Sequence, residues 1–149
     1  VRLKQTLEVR GADAMPDNFV AALAALWHGL LDDSESRQQA LSWTEAWFGP
    51  GLEELRRRAA KDGLKASGDL PGLEKGCVGP LQRMLELARN GLDRLEPEAV
   101  ALLRPLERRL ERRETLADAL LAALGPDVRS PDVSCRIATT LQRIAADNG

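Results

Sequence analysis

The chain has 149 residues, 44% of them hydrophobic and 30% charged, with 21 basic against 23 acidic side chains and a formal net charge of −2. That is enough chain for one domain with a real core, and the near-cancellation of charge excludes a global field that would draw nucleic acid or an anionic membrane. The longest apolar stretch, Phe19 to Leu31, is too short to span a bilayer and holds His28 and Gly29, while two widely separated cysteines, Cys77 and Cys135, point to a reducing compartment, the cytoplasm.

The opening stretch, VRLKQTLEVRGAD, alternates with a period of two. Val1, Leu3, Leu7 and Val9 fall on one face with Gln5, and Arg2, Lys4, Thr6, Glu8 and Arg10 fall on the other. Alternation of this kind predicts a half-buried strand over residues 1–10. Gly11 breaks it, and Asp13 follows in a turn. A lone strand cannot satisfy its edge hydrogen bonds, and the remaining sequence offers no second convincing strand. The expectation is therefore a C-terminal piece of a longer protein, with the partner strands upstream.

Everything after the turn reads as helical. Pro16 opens a first helix in which Phe19, Val20, Leu23, Leu26, Trp27, Leu30 and Leu31 recur at helical spacing. Asp32, Asp33 and Ser34 end it and offer caps for a second helix, about Glu35 to Phe48. Gly49-Pro50-Gly51 is a break, and a charged helix over Leu52–Asp62 ends at Gly63. Residues 64–79 are glycine-rich but carry recurring leucines, which predicts a loop ordered by contact. Pro80 starts a helix reaching Leu95. Another is expected over Glu98–Arg113, kinked or split by Pro105. Thr115 and Asp118 have capping-box spacing for a helix ending at Gly125-Pro126. A last helix, entered through Ser130-Pro131, carries Val133, Ile137, Leu141 and Ile144. The predicted fold is mainly α, about six helices with one N-terminal β-strand.

The chemistry concentrates on the strand. Residues two apart on a strand point the same way, so Glu8 and Arg10 can meet one ligand. A carboxylate suits Mg²⁺ and a planar guanidinium suits phosphate oxygens; together they match a phosphoryl-transfer site. A solvated sheet face with cross-strand ion pairs uses the same residues, and by spacing alone it is the commoner outcome. His28, beside Trp27 and four residues before Asp32, reads as a packed or capping residue. Arg56-Arg57-Arg58 and Arg108-Arg109 with Arg112-Arg113 are interleaved with glutamates, the pattern of a solvated helix face with intrahelical ion pairs. Cys77 and Cys135 lack the spacing of a zinc site.

The opening stretch, extended to VRLKQTLEVRGADAMP, resembles the strand-and-turn segment of glutamate–cysteine ligases (γ-glutamylcysteine synthetases) of the plant and proteobacterial type, with their R-x-K-x-x-x-E-x-R-G-A-D signature. The likeness continues through Trp27, Gly29, Leu30, Leu31, Asp32 and Asp33, through the L-A-R-x-G-L run ending at Leu92, and through Pro105-Leu106 with Arg113, Thr115, Ala117, Leu120 and Leu121. It spans residues 1–124 and leaves 125–149 as a helical tail. The resemblance implies the C-terminal part of a glutamine-synthetase-like α+β fold. It further implies an ATP-dependent ligase that phosphorylates the γ-carboxylate of glutamate and lets the amine of cysteine attack the acyl phosphate, in glutathione biosynthesis. Mg²⁺ and ATP are implied with it. Carried over by motif position, Glu8 resembles a Mg²⁺ ligand and Arg10 the arginine on the transferred phosphoryl group, with Lys4 and Arg2 as further nucleotide-facing candidates. Two other readings stay open: a sister carboxylate–amine ligase using another amine, and a non-catalytic helical interaction domain whose strand docks onto a partner sheet.

Overall fold

Two glycines determine how the helices of this chain pack. The computed structural model describes residues 2–3, 7–8, 15–47, 49–74, 76–125 and 131–147. Its helices are α1 (Asp17–Leu31), α2 (Ser34–Thr44), α3 (Pro50–Asp62), α4 (Val78–Leu95), α5 (Arg104–Arg112), α6 (Leu116–Leu124) and α7 (Val133–Asp147). Three-ten turns at Gly63–Lys65 and Pro97–Leu103 precede α4 and α5. Helix α1 crosses α4 where Gly29 meets Ala88 and Gly91: a Cβ on Gly29 would overlap the carbonyl oxygen of Ala88, and one on Gly91 the carbonyl oxygen of Gly29. With only hydrogen at those Cα atoms the two backbones touch, and Ala25, Leu26, Leu30, Leu87, Ala88 and Leu92 close the core around the crossing. Leu103 and Leu110 seal it from the side of the three-ten stretch and α5. A smaller cluster, Leu55 with Leu70 and Leu73, pins the glycine-rich loop to α3, so that loop is ordered by contact as its leucines predicted.

The ends of the helices follow local chemistry. Asp33 caps α2 by accepting from the backbone N–H of Ser36 at 2.7 Å. Thr115 and Asp118 form a reciprocal capping box on α6, with Asp in the place usually held by Glu or Gln. Pro105 falls inside the first turn of α5, where its missing N–H costs nothing. The helix expected over Glu98–Arg113 is accordingly split into a three-ten stretch and α5. Arg113, with φ 51°, closes α5 in the left-handed conformation, and the N–H of Glu114 returns to the carbonyl of Arg109 at 3.1 Å.

Two expectations are corrected. First, no continuous strand runs through residues 1–10. Instead Arg2–Leu3 (β1) and Leu7–Glu8 (β2) pair antiparallel with each other, in the register Arg2 to Glu8 and Leu3 to Leu7. The physical reason is the one that made a lone strand suspect: its N–H and C=O groups need partners, and among the described residues the stretch finds them within itself. Second, among the described residues the α-helices number seven, not about six, with the nine-residue α5 and α6 kept apart by the left-handed Arg113. Helical character dominates as expected, but a two-stranded pair of two-residue strands is not the sheet of a glutamine-synthetase-like α+β fold.

Candidate functional site

The sequence placed its site on residues 1–13, and the described structure reaches part of it. Arg2 and Glu8 stand opposite each other in the β1–β2 register, so a cation position faces the carboxylate position across the pair rather than six residues away along one strand. Lys4, Arg10 and Asp13 lie outside the described residues. The donor type at Glu8 fits a hard divalent cation, which takes oxygen ligands. Among the described residues no three His, Cys, Asp or Glu side chains gather to hold a metal.

Part of the family-like pattern, Gly29, Asp33, Ala88, Gly91 and Leu92, converges on one place in the helices. Gly29 and Gly91 make the α1–α4 crossing, and a Cβ on Gly91 would also press on Asp33. Arg94, one turn further along α4, donates from Nε to Asp33 Oδ1 at 3.1 Å and from Nη2 to Asp33 Oδ2 at 2.5 Å. The same Nη2 reaches Ser36 Oγ at 3.0 Å, and Ser36 Oγ donates to the carbonyl of Leu87 at 2.8 Å. Asp33 is only 8% exposed. The Arg94 hydrogen bonds, followed by the Ser36 N–H, hold its carboxyl far below the usual carboxylate range. Every polar atom in this cluster is spoken for, so it reads as the joint of α1, α2 and α4 rather than a place for a ligand.

His28 lies in the last turn of α1, its Nδ1 2.7 Å from Asp32 Oδ2 and its Nε2 3.7 Å from Glu96 Oε2. The ring is half-exposed between two surface carboxylates near the end of α1. The Arg56-Arg57-Arg58 run is a solvated face, with Arg56 on Glu53 at 2.7 Å and both Arg57 and Arg58 on Glu54. Such pairs contribute little. The second basic run departs from that reading: Arg109 is buried, 7% exposed, with Nη1 on Glu114 Oε2 at 2.6 Å and no described partner for Nε. It borders an apolar cavity of about 170 Å³ walled by Leu23, Leu26, Met84, Leu85 and Leu106. Apart from Arg109, Glu114 and Thr115 those walls are apolar. The identity of Arg109 as an interior cation was visible in advance only in its helical phase, which falls between Pro105 and Leu106 on the buried side of α5. Cys77 donates from its thiol to the carbonyl of Ala66 at 3.2 Å, and burial pushes its pKa up, which makes it a poor nucleophile.

Comparison with known proteins decides the family. The model of glutamate-cysteine ligase family 2 matches residues 1–139. The chain belongs to that family. Among its relatives, glutamate–cysteine ligase A, chloroplastic, of Oryza sativa subsp. indica is 38% identical over 122 residues, which is 81% of this chain and 24% of the relative. Glutamate–cysteine ligase, chloroplastic, of Medicago truncatula is 42% identical over 94 residues, 63% of this chain and 18% of the relative. The Arabidopsis thaliana enzyme of the same name is 36% identical over 121 residues, 81% of this chain and 22% of the relative. The chain thus spans about a quarter of the length of the curated relatives it matches. Those three are named for the chloroplast, whereas the cysteines of this chain pointed to the cytoplasm. No solved structure matches. Among the described residues no helix is long and apolar enough to cross a membrane.

Proposed function

We propose that this member of glutamate-cysteine ligase family 2 carries one wall of an ATP- and Mg²⁺-dependent active site that joins glutamate to cysteine for glutathione biosynthesis. The observation that carries the reading is the match of residues 1–139 to the family, with Glu8, Arg10 and the Gly11-Ala12-Asp13 turn standing inside it. Glu8 supplies a carboxylate to the Mg²⁺ that accompanies the nucleotide. Bound there, the metal would screen the charge of the phosphates. Arg10 is the catalytic arginine, donating its guanidinium N–H groups to the phosphoryl group as charge moves onto it. Arg2 and Lys4 add positive charge beside them in the same stretch. Residues 1–124 form the ligase segment, and 125–149 follow as its C-terminal part, the family match running on to residue 139. Glutamate and cysteine are its substrates, other parts of the same enzyme its partners, and the cytoplasm its setting.

The test is made in the full-length enzyme. Glu8→Gln and Arg10→Met are each expected to lower kcat for γ-glutamylcysteine formation by about 100-fold or more, about 2.7 kcal/mol of lost transition-state stabilisation. Turnover near wild type would sink the assignment. Faster turnover with an amine other than cysteine, measured in competition, would reassign the acceptor while leaving the site in place.

A further inference from the structure

Helices α1 and α7 come from opposite ends of the chain, yet the last turn of α7 is held at the first turn of α1. A helix leaves its final carbonyls without intrahelical partners. In α7 two of these accept donors from distant elements: Asn18 Nδ2 of α1 reaches the Ala145 carbonyl at 3.1 Å, and Arg108 Nη1 of α5 reaches the Asp147 carbonyl at 3.0 Å. Thr140 and Ile144, one turn apart on α7, are each 6% exposed, and Phe19, next to Asn18, is 2% exposed. The end of α7 is therefore tied by hydrogen bonds from α1 and α5, and is not a loose tail. Beside these bonds Met15, Pro16, Leu141 and Ala145 line an open groove between the two helices. Asn18 Oδ1 is itself buried without a described partner, so the donor side of the amide is what the docking uses. The residues held this way begin at Met15, two positions after Asp13 and seven after Glu8.

We infer that α7 is a brace: by fixing the first turn of α1 it fixes where the stretch carrying Glu8 and Arg10 leaves the helices, with Asn18 as the positioning residue. This rests on the reading of Glu8 and Arg10 as metal- and phosphoryl-facing groups. The sharpest probe is Asn18→Asp in the full-length enzyme. The aspartate is isosteric and favoured in the first turn of a helix, so α1 keeps its own stability, but it cannot donate to Ala145 and sets a carboxylate against that carbonyl. Amide exchange in the last turn of α7 is expected to rise about tenfold or more. The KM for MgATP is expected to rise about threefold or more, with kcat at saturation held within about twofold. Asn18→Gln, which keeps the amide donor, is expected to restore both. Unchanged exchange in Asn18→Asp overturns the docking. Faster exchange with an unchanged KM for MgATP overturns the positioning role. Failure of the underlying site would appear elsewhere, as normal turnover in Glu8→Gln.

Discussion

Asp33 shows how much one side chain can hold in place. Its carboxylate caps α2 through Ser36, takes both forks of Arg94 from α4, and sits against the Gly29–Gly91 crossing. From the sequence it was legible only as a cap, because capping depends on neighbours two or three residues away. Arg94 is 61 positions distant, and no local pattern announces it. Arg109 was hidden by its charge, which suggested solvent although its helical phase falls between Pro105 and Leu106 on the buried side of α5. The Asp33 cluster carries a pH dependence whose sign follows from linkage. Its folded pKa is depressed by the Arg94 and Ser36 hydrogen bonds, so the unfolded chain binds the proton first as pH falls. The stability it contributes is complete above the ordinary aspartate pKa of about 3.9 and is lost as pH drops below it toward the folded value. Asp33→Asn retains a capping oxygen and loses the charge on Arg94. Its Tm is expected to lie about 5 °C below wild type at pH 7, and calorimetry between pH 5 and pH 2 should find that gap narrowing. A gap that stays constant with pH would remove the carboxylate charge from the explanation.

At the scale of elements, periodicity located the helices well because each apolar face had to meet another, and glycine and proline punctuated them. The helix starts of α1, α4 and α6 fall within two residues of expectation. What periodicity misplaced was the contact face itself. Large side chains drew attention to Val20, which is 54% exposed, while α1 meets α4 at Gly29, beside Ala25 in the shared core. Small residues carry little weight in a hydrophobic pattern, yet they are what lets two backbones touch. The opening strand was misjudged for a related reason: alternation over ten residues describes two short arms as well as one long one, and only pairing distinguishes them. The crossing makes a sharp prediction. Gly29→Ala and Gly91→Ala each put a methyl into a carbonyl on the facing helix, and with backbone on the far side relief requires moving a helix. Each is expected to cost about 3 kcal/mol in urea unfolding. Gly79→Ala, in the first turn of α4 where a Cβ meets nothing within 4 Å, is the matched control and should be neutral or stabilising by about 0.5 kcal/mol. Similar losses at all three positions would mean that helix propensity, and not the crossing, sets the effect.

Across the whole molecule, the first and last helices are tied together, and Glu8 and Arg10 precede α1 in the sequence. The arrangement suits a buttress better than a complete active site, and coordination chemistry says why. Mg²⁺ demands six oxygen ligands in near-ideal octahedral geometry and is usually held by one or two carboxylates together with phosphates and water. ATP additionally needs several donors along its phosphates. Glu8 offers one carboxylate and Arg10 one guanidinium, and in the cavity beside Arg109 that one cation is already paired with Glu114 while the other walls are mostly leucine and methionine. If the chain is one wall of a ligase site, the 149 residues alone should neither form γ-glutamylcysteine nor gain thermal stability from MgATP. A ligand at its Kd stabilises by only about 0.4 kcal/mol, so a dissociation constant weaker than about 1 mM would leave Tm unmoved within error at 1 mM MgATP. In the full-length enzyme the same concentration should raise Tm by several degrees, and Glu8→Gln should abolish most of that rise. The comparison separates the two surviving classes of explanation. A non-catalytic helical module whose strands dock on a partner predicts no MgATP stabilisation in either protein, whereas the ligase reading predicts it in the long one only. Stabilisation of the short chain by MgATP, abolished by Glu8→Gln, would instead put a self-sufficient nucleotide site within these 149 residues and overturn the one-wall account.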